Sequence, residues 1–290
     1  MTPWVGTVNV VLVALLGICL GRLISRLKKS YWLLGCSLPF ALIAMLVLTR
    51  YNNGLHFVWP FSWVAVGRAR FITLSLAVSM GLTIPLSRLP HRFEKLIVCF
   101  LTAGFVTWFS ALPLLVPALV KDRLLSLSTK FDVNGICRQT TDYTCGPAAA
   151  VTALGKLGLT AEEGELAVLS YSSPMTGTLP TCLSAAIENR YSADGLRCRY
   201  RRFDSVDQLK NAGVILAMVR ETFLMDHCLT ILDVSQDAVT VADPVTGTRL
   251  MPHGQFEKIW RFSGIVLERD SVQSILSVSV LAICHSRRFL

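Results

Sequence analysis

Charged residues are scarce in this chain. They make up 16% of its 290 residues, whereas hydrophobic residues make up 52% and the mean hydropathy is +0.53. An average soluble domain has about 25% charged residues, so this composition excludes such a domain as an account of the whole chain. The sequence also contains no internal repeat and no low-complexity segment, which argues against a solenoid or a long disordered linker.

Charge is nearly absent from four stretches within the first 120 residues. These stretches cover about 3–21, 31–49, 71–88 and 96–120. Each is long enough, or nearly so, to cross about 30 Å of hydrocarbon as a helix. The sequence therefore predicts that residues 1–125 form a transmembrane region of about four helices, with the lipid bilayer as a partner.

A fifth uncharged segment, residues 51–67, decides the topology. It is rich in aromatic residues but also contains Asn, Gly, His and Pro, so it is more typical of an interfacial loop or a re-entrant segment than of a span. The basic clusters at 22–29 and 88–95 favour cytoplasmic loops, and with four spans everything after residue 125 lies outside the cytosol. A fifth span would move it to the cytosol. Because basic residues follow the first stretch rather than precede it, a cleaved signal peptide is not expected.

One short run after the apolar region indicates chemistry. Gln139 lies six residues before Cys145, and Gly146-Pro147 then opens an apolar stretch of helical character. A helix N-terminus stabilises a thiolate through its dipole and its unpaired N–H groups. The upstream glutamine amide can join the N–H of Cys145 in binding an oxyanion.

A nucleophilic cysteine needs a base, and the base needs a residue that orients it. His227 opens a strand-like run, and Asp243 ends a second β-branched run before a proline, so adjacent antiparallel strands would place the two side by side. Asp226 and Asp233 are weaker candidates for the orienting carboxylate. His253 is a competing base, but it lies in a Pro-His-Gly turn.

These motifs resemble those of the bacteriocin-processing, double-glycine leader peptidases, family thirty-nine of the cysteine peptidases. The resemblance covers residues 132–269 and rests on the run 139–148, the His227 strand, the Asp243-Pro244 turn and the segment 256–267. It implies a papain-like α+β domain in which Cys145 is the nucleophile, His227 the general base, Asp243 its orienter and Gln139 the oxyanion glutamine. The 290 residues contain no GxxxxGK[ST] motif, so no ATP-binding cassette is expected in them.

The resemblance implies a thiol peptidase that cuts peptides after small residues, and the apolar region makes it membrane-bound. Its expected substrates are leader peptides, with a separate exporter as a partner. Two alternatives stay open: an inactive domain that docks peptides for a partner exporter, and a thiol acyltransferase on the same fold. No cofactor, metal or nucleic acid is expected, since the net charge of +9 is accounted for by loop clusters.

Three further features carry smaller expectations. Cys137, Cys182, Cys198 and Cys228 could form two disulfides outside the cytosol or none inside it, so the cysteines do not decide the compartment. Residues 160–163 resemble a capping box that opens a second helix of the domain, and the papain-like resemblance places the loop 171–178 beside the substrate cleft. The apolar tail 270–290 is short, and its sequence fits either an amphipathic or interfacial segment or a marginal fifth span.

Overall fold

The first 125 residues are helical. The protein is described from a computed structural model, which covers residues 3–222 and 225–269; the apolar tail 270–290 lies outside the described residues. The helices are α1 (Pro3–Ser25), α2 (Lys29–Tyr51), α3 (Phe61–Val64), α4 (Ala69–Thr83), α5 (Arg92–Val106), α6 (Leu112–Leu119) and α7 (Lys121–Leu125). Short 3₁₀ turns follow α2 and α4, and a π-helical turn joins α5 to α6.

Four helical segments are long and apolar enough to span a membrane. They are Pro3–Ser25, Tyr31–Tyr51, Ala69–Arg88 and Arg92–Leu119, with mean hydropathies of 2.2, 2.1, 1.5 and 1.9. Helices α1 and α4 run parallel and close together, because a side chain at Gly17 would clash with Ser79 and one at Gly21 would approach Thr83. Small residues at such contacts are typical of helices that pack inside a bilayer.

Residues 52–68 lie at one end of this helical bundle. They form a 3₁₀ turn at Asn53–Phe57 and the short helix α3, and they join the end of α2 to the start of α4. The side chains of Trp59 and Trp63 are 74% and 76% exposed. The segment forms no spanning helix, which agrees with the interfacial loop expected from its composition. The basic loops around residues 26–28 and 89–91 lie at the opposite end of the antiparallel bundle.

The rest of the described chain is an α+β domain. Two short strands, β1 (Lys130–Phe131) and β2 (Cys137–Arg138), precede three helices, α8 (Cys145–Lys156), α9 (Glu163–Leu169) and α10 (Pro180–Tyr191). The following elements are β3 (Leu196–Arg202), β4 (Val214–Arg220), β5 (Asp226–Val234), β6 (Ala238–Asp243), β7 (Gly247–Pro252), α11 (His253–Ile259) and β8 (Trp260–Arg269). Strands β3 to β8 form one antiparallel sheet in the order β3-β8-β4-β5-β6-β7.

Both faces of the sheet are covered. Helices α8 and α10 bury one face with small and aliphatic side chains such as Ala149, Leu154 and Ile187. The other face packs against the aromatic side chains of Phe203, Phe256 and Trp260. The central strand β4 is therefore buried along most of its length, which explains its continuous apolar sequence. The papain-like α+β fold predicted from the sequence is confirmed.

Candidate active site

Cys145 is the first residue of α8. Thr144, which precedes it, is fully buried, and its hydroxyl bonds to Thr141 instead of capping the helix. The first N–H groups of α8 are therefore not capped by that side chain, and they surround the thiol with positive potential. Gly146 lies close to its neighbours, since a Cβ there would be 3.1 Å from the side chains of Leu183 and Thr178.

Two neighbouring strands position His227 and Asp243. In the antiparallel pair of β5 and β6, Thr230 lies opposite Ala242, so His227 and Asp243 are diagonal neighbours. The imidazole Nε2 lies 2.9 Å from Asp243 Oδ1. Thr230 also donates a 2.8 Å hydrogen bond to the carbonyl of Ala149 in α8. This bond joins the helix of the cysteine to the strand of the histidine.

The electrostatics favour a charged imidazole. Burial alone would lower the pKa of His227, but hydrogen bonds with Asp243 and Cys145 outweigh it and raise the pKa to about 10. Burial opposes the ionisation of Asp243, yet hydrogen bonds from His227, the Val245 N–H and Thr246 hold its pKa well below its usual range. Because an ionised carboxylate only accepts, Nε2 of His227 donates to Asp243 and its other ring nitrogen is left for Cys145.

Gln139 is tied to the same strand end. Its backbone N–H donates to the carbonyl of Pro244 at 3.1 Å. Its side-chain Oε1 is buried and has no hydrogen-bond partner among residues 3–222 and 225–269. This oxygen accepts hydrogen bonds, so the group that can bind an oxyanion is the NH₂ of the same side-chain amide.

A residue that the sequence analysis did not assign to the site supports Gln139. Glu163 is fully buried and accepts hydrogen bonds from the backbone N–H of Thr140 at 2.8 Å and from its hydroxyl at 2.6 Å. The expected capping box is wrong, since the N-cap of α9 is Glu162 and its side chain makes no capping bond. In the sequence, Glu163 stands out only as a glutamate near the start of a helix. That its side chain points into the domain is visible only in the tertiary structure.

Cys145, His227 and Gln139 line one groove of about 780 Å³. Residues 174–178 form one wall, as expected for the loop 171–178. A second part of the groove lining was not foreseen, because it comes from the helical region. It contains Arg50, Asn53, His56, residues 65–67 and Arg70.

The alternative site residues are engaged elsewhere. Asp226 accepts hydrogen bonds from Arg50 at 2.7 Å and Arg261 at 2.8 Å, so its carboxylate is committed to two guanidinium groups. Asp233 is exposed, and neither it nor His253 lines the groove.

The other four cysteines of the domain are free thiols in this structure. Burial raises the pKa of all four, to about 12 for Cys137 and about 11 for Cys198, and well above the ordinary value for Cys228. Thiols of this kind are protonated and poorly nucleophilic near neutral pH. Within the described ranges, no group of three or more His, Cys, Asp or Glu residues is placed to hold a metal ion.

Comparison with known proteins identifies the class. The sequence profile of the peptidase C39 family matches residues 134–273. An uncharacterized protein of Methanothermobacter marburgensis is 30% identical over 135 residues, which is 47% of this chain and 89% of the relative. A second, from Methanothermobacter thermautotrophicus, is 30% identical over 143 residues, or 49% of this chain and 94% of the relative. The chain belongs to the peptidase C39 family, a family of cysteine peptidases.

Two of the solved structures that resemble this chain are peptidase domains of transporters. A double glycine motif protease from an AMS/PCAT transporter, in complex with its leader peptide, is 16% identical with a TM-score of 0.41, covering 50% of this chain and 96% of that one. The peptidase domain of Streptococcus ComA, a bi-functional ABC transporter, is 18% identical with a TM-score of 0.40, covering 46% and 96%.

Proposed function

We propose that this protein is a membrane-bound cysteine peptidase in which Cys145, His227, Asp243 and Gln139 carry the reaction. One observation supports this most. His227 is hydrogen-bonded to Asp243 at 2.9 Å and also to Cys145 at the start of α8, and the cysteine and histidine face one groove. A nucleophile, a base and a residue that orients the base are thus joined by a chain of hydrogen bonds.

The geometry supports a two-step hydrolysis. His227 takes or shares the proton of Cys145, and the thiolate attacks a peptide carbonyl to form a tetrahedral intermediate. The N–H of Cys145 and the amide of Gln139 bind the oxyanion. The His227 imidazolium then gives its proton to the leaving amine, which leaves a thioester on Cys145. In the second step, His227 takes a proton from water, which attacks the thioester and releases the acid and the thiol.

Asp243 acts through His227. Its carboxylate accepts from Nε2, which fixes the ring orientation and stabilises the imidazolium that the first step requires. Bonds from Val245 and Thr246 hold the carboxylate in place.

The proposed substrate is a peptide cut after small residues. Family membership supports a peptidase or leader-peptide-binding role. Within this proposal the substrates are leader peptides that pass to a separate exporter after cleavage.

We place the domain on the non-cytosolic face. Four spans put the basic loops around residues 26–28 and 89–91 on one side and the domain on the other. Two arginines at the domain side, Arg50 and Arg68, make contacts with the domain through Asp226 and the ring of Tyr171. Such contacts give these arginines a reason to lie on that side, despite the positive-inside bias.

The test is alkylation and turnover of the full chain in detergent. Iodoacetamide near neutral pH should label Cys145, as identified by mass spectrometry, and internally quenched peptides with a central Gly-Gly should be cleaved. Cys145→Ala should lose both while its circular dichroism stays native. Cys182→Ala, which removes a thiol of raised pKa, should keep both. Cleavage by Cys145→Ala at the wild-type rate would refute the assignment, and product joined to an added amine would indicate acyl transfer.

A further inference from the structure

One wall of the groove belongs to the helical region and is fixed to the domain. Asn53 donates a 2.9 Å hydrogen bond to the hydroxyl of Ser263, and the ring of Phe57 lies 5.1 Å from that of Tyr200. The residues of this wall therefore hold a defined position beside the groove that contains Cys145.

This wall carries an excess of positive charge around His56. The charged groups that act on His56 are three guanidinium groups and one carboxylate. They are Arg50, Arg70, Arg261 and Asp226. Burial, followed by the charge of Arg70, lowers the pKa of His56 to about 4, so its imidazole is neutral and adds no charge of its own.

Asp226, the one carboxylate among these four groups, is already bound by two arginines. Asp226 accepts from Arg50 at 2.7 and 3.3 Å and from Arg261 at 2.8 Å. The other two carboxylates that line the groove, Asp142 and Glu221, are exposed to solvent.

Arg70 lacks such a partner. In the described part of the chain its side chain makes no hydrogen bond or ion pair with a carboxylate, and its guanidinium lies 4.7 Å from the ring centre of the adjacent Phe71. It is the second residue of α4, where the positive end of the helix dipole disfavours a cation. An anion in the groove would offset this unfavourable interaction.

We propose that Arg70 is an anion subsite of the groove and binds a carboxylate of the peptide substrate close to the cut bond. The proposal rests on the proposed peptidase function and adds a selectivity to it. The planar guanidinium can bind the carboxylate with two parallel hydrogen bonds. The neutral imidazole of His56 lines the same wall and can supply one more.

Protection of Cys145 from iodoacetamide measures peptide binding without turnover. The probes are C-terminally amidated octapeptides with a central Gly-Gly, in which Asp or Asn is placed at each other position in turn, together with an Asn peptide that has a free C-terminus. The protein is the full chain in detergent, and cleavage of each peptide is recorded in parallel.

We expect that at one position the Asp peptide protects about 10- to 100-fold better than its Asn counterpart, as for a hydrogen bond to a charged group. Arg70→Gln should remove this difference, and Arg70→Glu should prefer a Lys peptide at the same position. Arg92→Gln, which changes an exposed arginine at the start of α5 outside the groove, should keep the wild-type preference. If only the Asn peptide with a free C-terminus protected better, the carboxylate bound by Arg70 would be the C-terminal carboxylate of the peptide.

Equal protection by Asp and Asn peptides in the wild-type protein would overturn the proposal, and so would protection by none of the peptides. A preference that survives in Arg70→Gln would also overturn it. A different result would contradict the peptidase proposal: Asp peptides protect Cys145 selectively, but no peptide is cleaved. The wild-type comparison of Asp with Asn does not depend on the folding of any variant.

Discussion

At the scale of single residues, chain order and spacing predicted the set that the structure brings together. Gln139, Cys145, His227 and Asp243 meet at one end of the sheet because β5 and β6 are neighbours and Thr230 joins β5 to α8. Their catalytic roles stay predictions. The sequence could not predict the pKa of His227, because burial and hydrogen bonding act on it in opposite directions.

The substitution Asp243→Asn tests the charged pair. A pKa of about 10 means that the His227 imidazolium persists as the pH rises through neutrality and is lost only near pH 10. The alkaline limb of kcat/KM should therefore lie near pH 10 in the wild-type protein. Asparagine removes the charge and the acceptor, so the pKa of His227 should fall and the limb should move to lower pH. We expect kcat/KM to drop by about 10²- to 10⁴-fold.

The control for that change is Asp233→Asn, which alters an exposed carboxylate on β5, the strand of His227, and should leave the profile unchanged. If the Asp243→Asn protein kept its alkaline limb near pH 10, the carboxylate would not be what sustains the imidazolium.

Gln139→Ala tests the oxyanion role. The Gln139 side chain has a buried Oε1 without a partner in the described structure, so its loss should cost little stability. Because the amide would act mainly on the transition state, kcat should fall by about 10²- to 10³-fold with KM nearly unchanged. Gln255→Ala, an exposed position on α11, serves as the control. A purely raised KM would instead assign Gln139 to substrate binding.

At the scale of elements, local patterns predicted most of the domain. Proline placement indicated the start of α10, and β-branched runs indicated β5 and β6 close to their observed bounds. Local rules failed where a side chain is used by a distant element. Glu163 was assigned to a helix cap, yet it holds the loop of Thr140, more than 20 residues earlier.

Glu163→Ala tests this coupling between α9 and the loop of Gln139. The change leaves the buried N–H and hydroxyl of Thr140 without an acceptor, which should cost about 1–3 kcal/mol of unfolding free energy. Since the loop that presents Gln139 loosens, kcat should also fall, and urea denaturation together with steady-state kinetics measures both. Glu165→Ala removes only an exposed ion pair with Arg190 and should change neither by much. Full activity in a destabilised Glu163→Ala protein would limit Glu163 to a structural role.

At the scale of the whole molecule, composition predicted a membrane region and a separate α+β domain, but not that they share the groove. The contacts between them join single polar residues far apart in sequence, such as Arg50 with Asp226 and Asn53 with Ser263. The periodic pattern of apolar residues along the sequence does not predict contacts of this kind. They make the helical region part of the candidate site, so a detached domain would lack one wall of the groove.

The topology gives the prediction with the widest consequence. With residues 52–68 at the bundle end beside the domain, four spans place residues 132–269 opposite the basic loops. An alkaline phosphatase reporter fused after Arg269 should therefore be active, and protease added to spheroplasts should cut the domain. Replacing Arg26 and Lys28 with Gln should weaken this orientation, because it removes charge from a loop expected in the cytosol. Replacing the exposed Arg197 and Arg199 of β3 should not, since they lie in the folded domain. A reporter that is inactive after Arg269 but active after Lys28 would invert the orientation and place Cys145 in the cytosol.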